Sequence, residues 1–349
     1  MGVQKESTLS ETLVSIGEFG LIDRIHKLLQ KEGIHAPEVT LGIGDDTASF
    51  RPRAGYEVLV TCDCLVENRH YLPDHITPLD LGRRAMAVNI SDIGAMGGQP
   101  LYALISLGLR ADTRVSDVEA MYRGFILELN PFKASIIGGN ITKIEDGVFI
   151  DITLIGEVEQ GKHVLRSTAR VGDTILVTGY PGQAAAGLQL LLRSQPIEDL
   201  LGHPLVRAYI TPLHRAYEGQ AIARTGYATA MIDTSDGFLG DLGHICQESN
   251  VGAALIQEKL PVSEDLRQAA IELGQDSLEL FLKDSDDYEL IITCSNDNEA
   301  KVRSAIASVS NIPVSKVGRI TDATGDIQLK LPDGSQRRLT PSGWDHFAT

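Results

Sequence analysis

Gly42-Ile43-Gly44-Asp45-Asp46 places two adjacent carboxylates behind two glycines, at the end of an apolar approach through Val39 and Leu41. Neighbouring aspartates repel one another, so the pair is costly unless solvent or a cation screens it. Glycine lets the backbone come close to a ligand and adopt conformations that a β-carbon forbids. Such a stretch is either a solvated acidic turn or part of a site for a hard cation, which one or two carboxylates hold together with substrate phosphates. The recurrence of aspartate in similar settings, at Asp63, Asp92, Asp233 and Asp236, favours the cation.

Charge and length narrow the choice of ligand. Acidic residues outnumber basic ones, 47 against 31, which argues against non-specific nucleic-acid binding. Phosphorylated substrates stay open, because bound Mg²⁺ inverts the local sign of a carboxylate cluster. The 349 residues suffice for two domains. Cys62, Cys64, Cys246 and Cys294 form no Cys-x-x-Cys pair and no zinc or disulfide pattern, so a reducing, cytoplasmic setting is expected. Cys64 reads as a small buried hydrophobe. No signal-peptide pattern or membrane-length apolar run is present, and residues 1–14 read as a loose tail.

Periodicity then orders the chain. Ser15-x-x-Glu18 resembles a capping box for a helix through Leu21, Ile25 and Leu29 that ends at Gly33. Val58–Asp63 reads as a strand. Thr77-Pro78 starts a mostly apolar helix that Gly97-Gly98 stops, and it carries Asn89, Ser91 and Asp92. Asn89 and Asp92 share a face, and a buried Asp92 would need a partner, either a nearby loop or a ligand. Leu101–Leu107 reads as a buried strand. Ser116-x-x-Glu119 opens another helix, and Ala134–Ile137 is a short strand running into Gly138-Gly139-Asn140. Val148–Ile155 is a further strand. Near Gly161 the character changes, giving an N-terminal domain over 15–160 and a C-terminal one over 161–349.

The second half opens with strand Thr174–Thr178 and a helix from Gln183. Strand Ala228–Ile232 delivers Asp233-Thr234-Ser235-Asp236-Gly237 to a helix starting at Phe238. Free N–H groups at a helix start attract phosphate, and carboxylates there need a metal to bridge them to it. Helix Ser263–Leu273, the acidic run Asp284-Ser285-Asp286-Asp287 and strand Tyr288–Cys294 follow. Helix Glu299–Val309, strand Val314–Ile320 and a hairpin at Pro332-Asp333-Gly334 complete the pattern. The alternation predicts α/β plus α+β domains.

The chain lacks a Walker loop, a complete dinucleotide fingerprint and a Gly-x-Ser-x-Gly elbow. Asp284-x-Asp286 lacks the later glycine and glutamate of an EF-hand. What remains is oxygen-rich and histidine-poor, which suits Mg²⁺ and nucleotide phosphates. Phosphoryl transfer needs positioning and charge neutralisation more than a protein nucleophile. A Mg²⁺-dependent enzyme acting on ATP follows, with the acceptor unnamed.

The motifs resemble the thiamine-monophosphate kinase family, of the aminoimidazole-ribonucleotide-synthetase-like superfamily. The resemblance rests on Gly17-Glu18-Phe19, Gly42–Asp46, Asp63-x-Leu65-Val66-Glu67-x-x-His70 and Ala87-Val88-Asn89-Ile90-Ser91-Asp92. Asp233-x-Ser235-Asp236-Gly237, Asp287-Tyr288-Glu289-Leu290 and Gly343-Trp344-Asp345-His346-Phe347 continue it. It implies the two-domain fold of that superfamily, with the N-terminal sheet shared across a homodimer. It implies transfer of the ATP γ-phosphoryl group to thiamine monophosphate. Mg²⁺ would be held by Asp46, Thr61, Asp63, Asp92, Asn140, Asp233 and Asp236, with Cys62 at a position that is a threonine ligand in the family. Gly139, Asn140, Arg166 and Ser235 would contact ATP, and His70, Asp286 and Trp344 would contact thiamine monophosphate. Asn140 stands where the family has an aspartate, and Asp286 stands where it has a longer glutamate. These departures leave open a relative that turns over little or takes another phosphorylated small molecule.

Overall fold

The structure, a computed structural model, describes residues 11–34, 36–43, 46–193 and 200–341. Gly44, Asp45, Trp344 and the rest of the closing motif lie outside the described residues. The chain forms two compact units, which interleave in sequence. The first runs to Ala54 and then takes Val60–Asn89 and Pro100–Ile155; the second takes Gly55–Leu59, Ile90–Gln99 and everything from Gly156.

The first half of the sequence contributes α1 (Leu13–Glu32), β1 (Val39–Leu41), β2 (Ser49–Phe50), β3 (Tyr56–Val66), α2 (Pro78–Ala95), β4 (Gln99–Leu109), α3 (Val115–Leu129), β5 (Ser135–Lys143) and β6 (Phe149–Glu159). Four of these strands form one sheet in the order β3-β6-β4-β5, with β4 and β5 parallel. The predicted strand Leu101–Leu107 is therefore an interior strand, and β3 and β5 are the edges. Helices α1 and α3 pack on each other and on β5. They bury Leu21, Ile25 and Leu28 from α1 and Val118, Phe125 and Leu129 from α3, as the period of 3.6 requires.

Two helix starts differ from their sequence expectation. Ser15 caps nothing: α1 begins at Leu13, and the Ser15 hydroxyl donates to the Thr12 carbonyl (2.6 Å). The reason is Gly17, whose φ of 68° interrupts the helical backbone one residue before Glu18, so the box cannot close. Leu13 and Val14 are also tied down, because their N–H groups donate to Thr113 and Ala111 carbonyls. Helix α3 starts at Val115 behind Arg114, with no side-chain cap from Ser116. A third difference concerns Gly138-Gly139-Asn140. These residues lie inside β5 rather than after it, and Asn140 pairs in register with Ser106.

The second half adds β7 (Thr174–Thr178), α4 (Gln183–Arg193), α5 (Pro204–Ile210), α6 (Ala216–Thr225), β8 (Ala228–Asp233), α7 (Phe238–Glu248) and β9 (Gly252–Ile256). It continues with α8 (Glu264–Leu273), α9 (Ser277–Leu282), β10 (Leu290–Cys294), α10 (Glu299–Ala307), β11 (Val314–Thr321), β12 (Ile327–Lys330) and β13 (Gln336–Leu339). Seven strands form one sheet in the order β13-β12-β9-β11-β7-β10-β8. Every residue of β7 and β10 is buried, which explains their unbroken apolar runs. The predicted hairpin is the antiparallel β12–β13 pair.

Within the second unit, the end of α2 crosses α6 at backbone contact. A Cβ on Gly94 would lie 2.5 Å from the Ala216 Cα, and one on Gly219 would lie 2.0 Å from the Gly94 carbonyl oxygen. Glycine is required at both positions because nothing there can yield. Replacing Gly219 by alanine should therefore destabilise the protein by about 1–3 kcal/mol through overpacking. Gly202→Ala, at a site with nothing within 4 Å, serves as the control and should stay within about 0.5 kcal/mol of wild type. Urea unfolding of the two variants measures both.

Candidate active site

Strand β8 is apolar through Ala230, Met231 and Ile232 and buries them, and this carries Asp233 into the interior at 5% exposure. A buried carboxylate is expensive without a partner. Asp233 Oδ2 accepts a hydrogen bond from the Ser91 hydroxyl at 2.5 Å. The turn that follows is held from behind. Thr234 N–H donates to the Glu289 carbonyl (2.7 Å), Glu289 N–H donates to Thr234 Oγ1 (3.0 Å), and Tyr288 N–H donates to the Thr234 carbonyl (2.8 Å). Glu289 in turn takes both arms of Arg215 at 2.6 Å and the Thr178 hydroxyl at 2.6 Å. Burial disfavours the Arg215 charge, but the Glu289 carboxylate more than restores it. The paired charges leave no room beside them: a Cβ on Gly179 would lie 1.9 Å from Glu289 Oε1.

Gly237 turns the chain from this loop into α7 at φ 103°, pressed against Lys283 and Asp284. Ser235 is left exposed on the loop and Asp236 half-buried. Asp241, one turn into α7, returns to the loop and accepts the Asp236 N–H at 3.0 Å. Asp236, Asp241 and His244 offer donor atoms within 4.8 Å of one another. Burial pushes the Asp241 carboxyl well above the usual range, and the charges of Asp233 and Asp236 push it further. The Asp236 N–H and the Arg166 guanidinium act in the opposite direction. Arg166 itself is exposed, with its carbonyl held by Ser249 Oγ (3.0 Å). A carboxyl raised by neighbouring carboxylates in this way fits a divalent cation, which would relieve the repulsion.

The acidic run before β10 divides by role. Asp287 accepts N–H groups of Gly182 (2.5 Å) and Ala184 (2.8 Å), and Ser285 Oγ accepts that of Ala185 (3.0 Å). Both residues therefore cap the start of α4. Asp284 and Asp286 stay half-buried beside them, and Asp286 is the predicted substrate contact.

In the first unit, Thr61 and Asp63 share one face of β3, by alternation. Asp63 is exposed, and its N–H donates to Asn89 Oδ1 at 3.0 Å while Asn89 Nδ2 donates to the Ala85 carbonyl. Arg84, Asn89 and Ser91 are the buried polar residues of α2; Asp92, expected to be buried, is half-buried. Cys62 stands at the position of a threonine ligand in the resembled family. It is exposed on the opposite face of β3, where its thiol donates to Asp151 Oδ1 (3.3 Å) and accepts from Thr153 Oγ1 (3.7 Å). The Thr153 bond pulls the thiol down, but partial burial and Asp151 push it up further, so it is a protonated donor. Cys64 is half-buried rather than enclosed.

His70 closes a tight turn in which Asn68 has a φ of 61°. Its Nδ1 accepts the Val66 N–H at 2.9 Å, which leaves Nε2 to carry the ring proton. On β5, Gly139 and Asn140 are exposed, and a Cβ on Gly139 would lie 2.0 Å from the Ile105 carbonyl oxygen. That clash explains the glycine without reference to a ligand. Asp46 is exposed beyond β1. Sequence reasoning assigned no role to Asp241, His244, Arg215 or Glu289. Asp241 carried a signal, as an acid in the first turn of a helix that already opened with two others.

Residues 44–158 match the family model "AIR synthase related protein, N-terminal domain", and residues 170–330 match "AIR synthase related protein, C-terminal domain". The thiamine-monophosphate kinase of Aquifex aeolicus (strain VF5) is 34% identical over 335 residues, covering 96% of this chain and 99% of that protein. The chain belongs to the thiamine-monophosphate kinase family. The crystal structure of the family member from Stenotrophomonas maltophilia K279a is 33% identical, with a TM-score of 0.77 over 92% of this chain and 98% of that one. A solved structure of AaThiL complexed with AMPPCP and TMP is 34% identical, with a TM-score of 0.73 over 97% and 100%. The fold is thus the mixed α/β, two-domain fold of this family. Among the described residues, no helix is long and apolar enough to cross a membrane.

The α4 cap gives the site a pH response. Burial pushes the Asp287 carboxyl up to about 7, against the two N–H bonds that favour its charge. A folded-state value above the unfolded one stabilises the fold fully below about pH 4, and that contribution is lost as the pH rises through about 7. Wild-type stability should fall across this window, and Asp287→Asn should flatten the fall. Urea denaturation at half-unit pH steps measures the slope.

Proposed function

We propose that this protein transfers the γ-phosphoryl group of ATP to thiamine monophosphate, giving thiamine diphosphate and ADP, in a cytoplasmic setting. The observation that carries the reading is the near-complete match to a relative complexed with AMPPCP, an ATP analogue, and TMP. The chain supplies what that reaction needs. Its candidate groups are aspartates and small polar residues at strand ends and helix starts, with no activated nucleophile among them, so an oxygen of the acceptor phosphate attacks the γ-phosphorus directly.

We assign Asp46, Thr61, Asp63, Asp92, Asn140, Asp233 and Asp236 to holding Mg²⁺. Bound Mg²⁺ would neutralise phosphate charge and tie the phosphates to these oxygens. Gly139, Asn140, Arg166 and Ser235 are the proposed ATP contacts. The exposed Arg166 offers a fixed positive charge, and Ser235 offers a hydroxyl at the start of α7. Asn140 offers an oxygen without charge, so its hold on a cation is weaker than an aspartate's. His70 is the proposed contact to thiamine monophosphate, where Nε2–H donates to the phosphate. Asp286 and Trp344 complete the proposed acceptor site.

The direct test is turnover with ATP and Mg²⁺, comparing thiamine monophosphate, thiamine and an aminoimidazole ribonucleotide. Thiamine diphosphate should form from the monophosphate alone; turnover confined to another acceptor would overturn the assignment. Asp63→Ala and Asp92→Ala should each reduce turnover by at least a hundredfold while leaving the melting temperature within a few degrees of wild type. An active Asp63→Ala enzyme would remove that residue from the site.

A homodimer belongs to the same proposal. Val58 and Val60 are 48% and 64% exposed on one face of the edge strand β3, an apolar surface of the kind that subunit contacts cover. Sedimentation at micromolar concentration should give a species of twice the 37.7 kDa chain mass, and Val60→Asp should shift it towards monomer. A wild-type protein that sediments only as the single chain would refute the dimer.

A further inference from the structure

Ser91 has no role in the reading above, and it is 1% exposed on α2 between the buried Ile90 and Ile93. A serine in such a place is better replaced by alanine unless its hydroxyl is used, because burying a hydroxyl without a bond is unfavourable. The hydroxyl is used once, and on a charge. Its proton goes to Asp233 Oδ2 across a sequence separation of 142 residues. Asp233 is itself 5% exposed, at the last position of β8, so both partners are enclosed. The backbone after Asp233 is pinned by the Thr234–Glu289 bonds, which fix where the residue sits. They do not fix how its carboxylate is turned. The Ser91 hydroxyl holds one oxygen of the carboxyl group and so bears on its plane.

We propose that Ser91 is the positioning residue for Asp233, holding the carboxylate in the orientation in which it presents oxygen to a divalent cation. The proposal rests on the assignment of Asp233 as a cation ligand. A bond of this kind matters beyond its own strength. A ligating carboxylate that can rotate loses affinity for the ion each time it leaves the productive plane, and removal of such an outer partner typically lowers metal affinity by about 10- to 100-fold. Asn89 stands two residues earlier on α2 and performs the corresponding service for the backbone of Asp63 in the first unit. One turn of helix thus carries a proposed ligand, Asp92, and two residues that hold others.

The experiment measures Mn²⁺ binding to the full-length protein by electron paramagnetic resonance without nucleotide, and separately the Mg²⁺ concentration for half-maximal turnover. Ser91→Ala should weaken Mn²⁺ binding and raise the Mg²⁺ requirement, each about tenfold, with circular dichroism unchanged. Ser91→Cys keeps the shape with a poorer donor and should fall between alanine and wild type, which a purely structural role would not produce. Should Ser91→Ala fail to fold, the cysteine variant alone carries the test. Wild-type Mn²⁺ affinity in the folded Ser91 variants, with binding weakened in Asp233→Asn, would overturn the positioning role and leave the ligand assignment standing. Wild-type affinity in Asp233→Asn would overturn both.

Discussion

Repulsion among carboxylates at the end of β8 is the constraint around which the second unit is arranged. Burial and the charges of Asp233 and Asp236 raise the Asp241 carboxyl, and the Arg166 guanidinium acts against them. A chain that simply relaxed would turn these side chains out to solvent. Here the backbone is fixed instead. Thr234 is bonded on both sides to the Tyr288–Glu289 segment, and that segment is anchored by the enclosed Arg215–Glu289 pair. A buried ion pair is a weak source of net stability, but breaking one is costly, so it holds geometry well. The positive charge of Arg215 goes to Glu289, and the pair braces the loop from behind.

The same logic governs the glycines. Gly179, Gly219 and Gly237 each sit where a β-carbon would strike backbone or a bonded carboxylate. Each marks a place where two segments meet closely enough to transmit position. Gly139 belongs with them, since its lack of a side chain is demanded by the β4 backbone. Its proposed nearness to ATP uses a surface that packing had already made bare.

The strand–loop–helix around Asp233–Gly237 was legible because its signals are local: an apolar run, a cluster of turn residues and a resumed apolar period. Strands β7, β8, β10 and β11 followed from similar runs, β9 (Gly252–Ile256) was not read, and the family motifs carried the two-domain fold. What escaped the sequence depends on distant partners. Ser91 and Asp233 are far apart in the chain, and no spacing rule links them. The capping box at Ser15 had the right letters and failed because Gly17 left the helical region. Gly138-Gly139-Asn140 looked like a strand end because glycine usually weakens strands, whereas here β5 continues beside β4. The Asp151 acceptor of the Cys62 thiol likewise comes from another strand, 89 residues away.

The interleaving of the two units has a consequence for how such a protein can change over generations. Ile90–Gln99 is counted with the second unit, although the sequence places it deep in the first half. Within that segment lie Gly94, against which Ala216 and Gly219 are fitted, and Ser91, which faces Asp233. Exchange of C-terminal halves between relatives would part these residues from the partners with which they were selected. The halves are therefore heritable as a matched set, and a genetic crossover that looks silent at the junction would be felt at the α2–α6 crossing.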